Sequence, residues 1–193
     1  MQREENFIED TLKHFTFLQN KRKTFIPSGG EPGPVSEVFN NDRIKIIFID
    51  THRIILAESR SKRKSNSDLL TLFYKVLDDE LNDAARKQQK VVVVAHHPVY
   101  AKGNHYQPMP WWQASIRRFA NSNTNYPPYH RMTVRIDSLL KAHQGPVIYY
   151  VSGHEHSLEY FVRDNVHYIV SGAGSRTDKI NFENSFEANE HCT

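Results

Sequence analysis

The segment Val91–Pro98, VVVVAHHP, joins a run of β-branched residues directly to two histidines and a proline. A second segment, Val147–His156, repeats this arrangement with the letters VIYYVSGHEH. A short, continuously apolar run is typical of a strand that is buried on both faces, as in a parallel sheet. Ligands bind such sheets beyond the carboxyl ends of the strands, and both groups of histidines follow a strand there. Since imidazole is the commonest metal ligand in proteins, the two segments predict a metal site.

The rest of the chain alternates strand and helix patterns, which favours an α/β fold. The predicted strands are Ile44–Asp50, Ile54–Ala57, Val91–Ala95, Val147–Val151, Leu158–Val162 and Val166–Val170. The last two form a hairpin, because Asp164 and Asn165 between them suit a primed turn. Amphipathic helices are predicted at Asp68–Lys87, with Ser67 as the N-cap, and at about His130–His143.

Composition excludes several classes of protein. The chain has 193 residues and one cysteine, so an internal disulfide framework is excluded. Its formal net charge is only +3 and its basic residues are scattered, which does not favour nucleic-acid binding. No segment is apolar over the length that a membrane span requires. The N-terminus lacks the apolar core of a signal peptide, and the compartment is left undetermined.

The motifs resemble those of the calcineurin-like metallophosphoesterases, in particular the branch that is similar to purple acid phosphatases. VVVVAHHPVY looks like the strand, metal histidine and proline turn of that family, and VSGHEHSLEY looks like its Gly-His-x-His motif. YIVSGAGS resembles a later turn of small residues, and IIFIDT with the helix after it resembles the family's middle segment. The resemblance covers roughly Ile44–Arg176. It implies the C-terminal part of a four-layer α/β/β/α sandwich and metal-dependent hydrolysis of phosphate esters.

The resemblance also implies roles for individual residues. His96 and His154 would bind one metal ion and His156 a second, both ions being divalent or trivalent Fe, Zn or Mn. Two such ions lie about 3.5–4 Å apart in dinuclear hydrolases and act together on the phosphoryl group. His105 would contact the phosphate or protonate the leaving group. His97 is expected to shape the turn, because adjacent side chains rarely reach the same ion.

Three segments are predicted. Residues 1–43 would form an N-terminal helix and a Gly/Pro loop, 44–176 the C-terminal half of a metallophosphoesterase domain, and 177–193 a polar tail. The aspartate and Gly-Asn-His motifs that family members carry ahead of this part are not found in the sequence, so activity is expected only together with a missing N-terminal half. Asp50 and His52 imitate one of these motifs, but their order along the chain favours a structural role in which Asp50 caps a turn.

The alternative is a truncated, non-catalytic remnant that binds one metal ion through His96, His154 and His156, or an interaction module. The expected partner is a phosphate-ester substrate, without nucleic acid or a membrane segment. Exposed sheet surface is expected to cause self-association. Glu155 is expected to face solvent or an ion-pair partner. Trp111 and Trp112 either line a substrate cleft or pin a long loop onto the core.

Overall fold

The computed structural model describes residues 26–27, 31–103, 126–143, 145–174, 177 and 191–192, the last pair for its backbone only. The helix expected near the N-terminus and the tryptophan pair lie outside these residues. The elements in chain order are β1 Val35–Phe39, β2 Ile44–Phe48, α1 Thr51–Ser59, α2 Lys64–Arg86, β3 Lys90–Val94, α3 Pro127–Ala142, β4 Ile148–Ser152, β5 Leu158–Arg163, β6 Val166–Ser171 and β7 His191–Cys192.

The strands form a seven-stranded sheet in the order β1-β2-β3-β4-β6-β5-β7. Strands β2, β3, β4 and β6 run parallel to one another, whereas β1, β5 and β7 pair antiparallel to their neighbours. The fold is therefore α/β, as the sequence predicts. The carboxyl ends of the four parallel strands meet at one edge of the sheet, so the segments that follow them lie side by side.

The three helices of the described residues cover one face of this sheet. Successive parallel strands advance in one direction from β2 to β4, and right-handed crossovers then place these helices on the same side. Inward side chains of the strands and the apolar stripes of the helices form one core, which includes Ile47, Val93 and Tyr150 from the sheet. The opposite face is only half-buried and carries Ile46, Phe48, Val92, Val94, Tyr149, Val151, Tyr160, His167 and Ile169.

The segment Ile54–Ala57 is helical, so its prediction as a strand was wrong. It lies inside α1, where Thr51, Ile54, Ile55 and Glu58 are buried at the spacing of one helical face. The Asp50 side chain accepts a hydrogen bond from the Arg53 backbone N–H (3.1 Å) and caps the first turn. The cap and the burial pattern thus outweigh the β-propensity of the two isoleucines.

Two other boundaries differ from expectation. Helix α2 begins at Lys64 and has Arg63, not Ser67, at its N-cap position. Ser67 lies inside the first turns, where its backbone N–H donates to the Arg63 carbonyl (3.1 Å). Strand β1 was not predicted, and it pairs with β2 across the expected boundary at residue 43.

The hairpin is confirmed. Strands β5 and β6 pair antiparallel, and Asp164 and Asn165 both have positive φ (47° and 68°), as a type I′ turn requires. None of the helices in the described part of the chain combines the length and apolar character needed to cross a membrane.

Candidate metal centre

Three histidines converge at the carboxyl edge of the parallel strands. His96 and His97 follow β3, and His154 follows β4, the neighbouring parallel strand. The two segments are joined where the Gly153 backbone N–H donates to the His96 carbonyl (3.1 Å). His96 and His154 therefore lie close together, as expected from their positions after neighbouring parallel strands.

The rings form a compact triangle. Their centroids lie 4.8 Å apart for His96 and His97, 4.9 Å for His96 and His154, and 4.5 Å for His97 and His154. One ring nitrogen from each lies within 4.8 Å of those of the other two, a spacing at which the three can hold a metal ion. His154 Nδ1 and His96 Nε2 are 3.1 Å apart.

The turn at His154 is strained. His154 has a φ angle of 68°, a left-handed backbone conformation that is uncommon for residues other than glycine. The Glu155 backbone N–H donates to the Gly153 carbonyl (2.8 Å), which closes a three-residue turn around His154. Strain of this kind costs on the order of 1–3 kcal/mol and persists where the surroundings enforce it, commonly at functional sites.

Close packing around Glu155 enforces this turn. Glu155 is 1% exposed, so of the two alternatives expected for it, exposure to solvent was wrong and an ion-pair partner stays a prediction. A Cβ added to Gly172 would overlap the Glu155 carbonyl oxygen, and one added to Gly103 would overlap its carboxylate. Backbone and side chain of Glu155 therefore fill the space that these two glycines leave, which fixes the position of the neighbouring His154.

A second buried glutamate holds the loop after β3. Glu159 is 1% exposed, and its carboxylate accepts a hydrogen bond from the Lys102 backbone N–H (2.6 Å) and another from the Ser157 hydroxyl (2.5 Å). The loop that carries His96 and His97 is thereby tied to β5 at its far end.

His97 is anchored on several sides. Its Nδ1 lies 2.8 Å from Thr51 Oγ1, which also accepts a hydrogen bond from the His97 backbone N–H (3.1 Å). The Tyr150 hydroxyl donates to the His97 carbonyl (2.8 Å) and the Tyr129 hydroxyl to the carbonyl of Pro98 (2.9 Å). His97 thus shapes the turn, as expected, but its ring also joins the triangle.

The surroundings of His96 and His97 favour neutral imidazole. Burial lowers the pKa of His97 to about 2, and the neighbouring His154, His96 and His52 add to this. The pKa of His96 is also lowered, by desolvation of its ring first and by His52 second, while the Asp50 carboxylate opposes the shift. Because metals bind the deprotonated ring, these histidines need not lose a proton to bind at neutral pH.

Asp50 and His52 lie beside the triangle without belonging to it. Asp50 is committed to capping α1, which confirms the structural role expected for it. The His52 ring is stacked against His97 with centroids 6.5 Å apart. Neither residue is part of the group of nitrogens that can share an ion.

The remaining expected site residues are His156 and His105. His156 is half-buried two residues beyond His154 and is not a member of the group. His105 lies outside the described residues. Sequence reasoning missed the approach of the His97 ring and its contact with Thr51. The adjacent histidines and the threonine after Asp50 were visible signals, but spacing along the chain does not show that they meet.

The donor set suits a metal ion of borderline softness, for which imidazole is a preferred ligand. No aspartate or glutamate among the described residues joins the three histidines. The residues described therefore fit one ion, and a dinuclear centre requires further ligands.

Comparisons with known proteins gave few matches. No protein-family model matches the chain, and no curated protein matches it either. Among solved structures, GAP50, described as the anchor in the inner membrane complex of Plasmodium, is 20% identical with a TM-score of 0.44, over 72% of this chain and 36% of its own. A dimetal phosphatase from Danio rerio is 13% identical with a TM-score of 0.41, over 67% of this chain and 46% of its own. The chain spans less than half the length of either structure.

Proposed function

We propose that this chain takes part in metal-dependent hydrolysis of phosphate esters, as the C-terminal half of a metallophosphoesterase. The observation that carries the proposal is the convergence of His96 and His154 at the carboxyl edge of a parallel sheet, on a strained and tightly packed turn. The two imidazole nitrogens that meet there are 3.1 Å apart, which is close enough for both to bind the same ion.

In this proposal His96 and His154 hold one ion, and His156 contributes to a second. Fe, Zn or Mn in that position would neutralise charge on the phosphoryl oxygens and supply a nucleophile at neutral pH. His105 contacts the phosphate or gives its proton to the leaving group. The buried Glu155 lies between His154 and His156 and anchors the short backbone segment that carries both.

In this proposal the carboxylate ligands of the second ion come from an N-terminal half, as the resemblance to the family implies. That half would place a second sheet against the half-buried face opposite the helices, which completes the four-layer α/β/β/α sandwich. The apolar side chains on that face, such as Val92 and Val151, support this arrangement.

The test is metal-dependent turnover of a generic aryl phosphate by a longer product of the same gene that contains this chain, because the proposal assigns the carboxylate ligands of the second ion to an N-terminal half. We expect turnover that is abolished by a chelator, restored by Zn²⁺, Mn²⁺ or Fe²⁺, and reduced at least about 100-fold by His154→Ala or His156→Ala. His130→Ala, which changes an exposed residue of α3, is the matched control. Full activity of either site variant, or no turnover by any metal-loaded form, would contradict the proposal.

A second candidate function is binding of a single ion without catalysis. It is favoured by one observation, namely that the grouped donors are three imidazoles with no carboxylate. This function would be supported over the first if the protein, including the longest product of its gene, binds one equivalent of metal and does not hydrolyse phosphate esters.

A further inference from the structure

The third member of the triangle distinguishes this site from the one expected from the sequence. His97 is 4% exposed, yet its ring centroid lies 4.5 Å from that of His154 and 4.8 Å from that of His96. His156, the residue that the motif suggested, is not in the group. A buried ring with a nitrogen within 4.8 Å of a ring nitrogen of each of the other two is positioned as a ligand as well as a turn residue.

Thr51 determines which nitrogen of His97 is available. It is fully buried at the start of α1, and its Oγ1 lies 2.8 Å from His97 Nδ1. Since Nδ1 is occupied by this contact, Nε2 is the nitrogen that remains to bind a ligand. When Nε2 gives its lone pair to a metal, Nδ1 carries the hydrogen and donates it to Thr51 Oγ1, the outer contact that metal-bound histidines commonly make.

The separation of the other two nitrogens fits a shared ion. Imidazole nitrogens bind zinc at about 2.0–2.1 Å, so two nitrogens that are 3.1 Å apart, as His154 Nδ1 and His96 Nε2 are, would both be within reach of one ion. Because His96 is exposed, an ion held by these rings would be accessible to water or a substrate oxygen.

We propose that His96, His97 and His154 form a mononuclear site for a borderline divalent cation, Zn²⁺ or Co²⁺, and that Thr51 orients the His97 ring. The proposal refines the first ion site of the proposed function by adding His97. Nitrogen donors select these cations over Mg²⁺ and Ca²⁺, which prefer oxygen ligands.

The test is titration of the metal-free 193-residue chain with Zn²⁺ by calorimetry, and with Co²⁺ by visible absorption. We expect one equivalent to bind and a Co²⁺ spectrum of low coordination number, with no comparable binding of Mg²⁺. His97→Ala should weaken Zn²⁺ binding at least about 100-fold, and Thr51→Val about 10–100-fold. His156→Ala should retain the first equivalent.

Circular dichroism and melting curves of each variant separate loss of a ligand from loss of the fold. Thr51→Val preserves the shape of the side chain, so it tests the site even if His97→Ala does not fold. Thr133→Val is its matched control, since Thr133 is also buried but bonds only the His130 carbonyl on α3. His130→Ala should bind like the natural chain.

Two results would overturn the proposal. One is a folded His97→Ala or Thr51→Val variant with unchanged Zn²⁺ affinity, and the other is loss of the first equivalent in His156→Ala. Either would leave phosphate-ester hydrolysis through the other histidines intact as a proposal. Conversely, a protein that binds Zn²⁺ through His97 but does not hydrolyse phosphate esters would support the metal site proposed here and contradict the proposed hydrolysis.

Discussion

At the level of single residues, the turn around His154 shows how a site is held in an unfavourable backbone conformation. His154 is left-handed, and the next residue, Glu155, is enclosed by Gly103 and Gly172. The turn cannot relax without moving Glu155, and Glu155 cannot move without space that the packing does not provide. We therefore expect the two glycines to be as important for the site as the histidines.

Replacement of Gly172 by alanine tests this account. The added methyl group would overlap the Glu155 carbonyl oxygen, a backbone atom that has no flexible end to move. We expect Gly172→Ala to lower the free energy of unfolding by about 1–3 kcal/mol, as measured by urea denaturation, and to weaken Zn²⁺ binding. Gly174→Ala is the control, because a Cβ there meets nothing within 4 Å. Equal stability of the two variants would contradict the role assigned to Gly172.

The sequence predicted part of the site at this scale. His96 and His154 were identifiable because each directly follows a strand, and parallel strands end at the same edge. The participation of His97 was not, because the direction of its ring depends on Thr51, which lies 46 positions earlier in the chain. A contact between residues so far apart in the chain forms only when the sheet brings the start of α1 beside the end of β3.

At the level of elements, α1 links the candidate site to the helical layer. Asp50 caps it beside His52, and Glu58 lies near its other end, 3% exposed. The Glu58 carboxylate accepts from Arg131 Nε (3.0 Å) and pairs with Arg135 (3.3 Å), both on α3. A single buried carboxylate therefore orients α1 against α3, and with it the residues at the start of α1.

Removal of Glu58 should be costly. Glu58→Ala is expected to lower the free energy of unfolding by about 1–3 kcal/mol, because it removes a buried carboxylate that holds two half-exposed arginines. Asp79→Ala removes an ion pair with Lys75 in which both side chains are exposed, and it should change stability by less than about 0.5 kcal/mol. Thermal or urea unfolding measures both. A Glu58→Ala variant as stable as Asp79→Ala would show that the network does not orient the helices.

Misassignment of α1 has a physical explanation. A run of four apolar residues with two adjacent isoleucines fits a strand by propensity, and periodicity over so short a run does not distinguish the two structures. Burial at Thr51 and Glu58, both polar, extends the helical face beyond that run, and neither was recognisable as buried from the sequence. Long periodic segments such as α2, in contrast, were predicted correctly apart from their first turn.

At the level of the whole molecule, Lys45 connects the sheet to α2. It is 3% exposed and binds Asp83 (2.7 Å) and Glu80 (2.9 Å). Hydrogen bonds from Lys45 and then Lys87 hold the pKa of Asp83 well below its ordinary value of 3.8. Because the folded pKa lies below the unfolded one, charged Asp83 stabilises the fold above pH 3.8, and this contribution is lost as the pH falls further.

Asp83→Asn tests that dependence. The variant should melt at a lower temperature than the natural chain at pH 7, and the difference should shrink as the pH is lowered below about 3.8. Asp79→Asn, at an exposed pair, serves as the comparison and should differ little from the natural chain at either pH. A difference between natural chain and Asp83→Asn that is constant from pH 7 to pH 2.5 would contradict the assignment.

The sheet face opposite the helices bears on association of the molecule. Its side chains are half-buried, and Leu158 and Val162 on β5 are 49% and 37% exposed. We expect the isolated chain to self-associate through this face, with a concentration-dependent increase in mass in sedimentation equilibrium. Val162→Lys should shift the distribution toward monomer. A natural chain that is monomeric at all concentrations would refute this expectation.

The central claim is that imidazoles from two neighbouring strand ends share one metal ion. X-ray absorption at the zinc K edge of the Zn²⁺-loaded chain tests it most directly. We predict a shell of light donors at about 2.0–2.1 Å with the outer-ring scattering of three imidazoles, and of two in His97→Ala. A shell made only of oxygen donors, or scattering from fewer than two imidazoles in the natural chain, would contradict the claim.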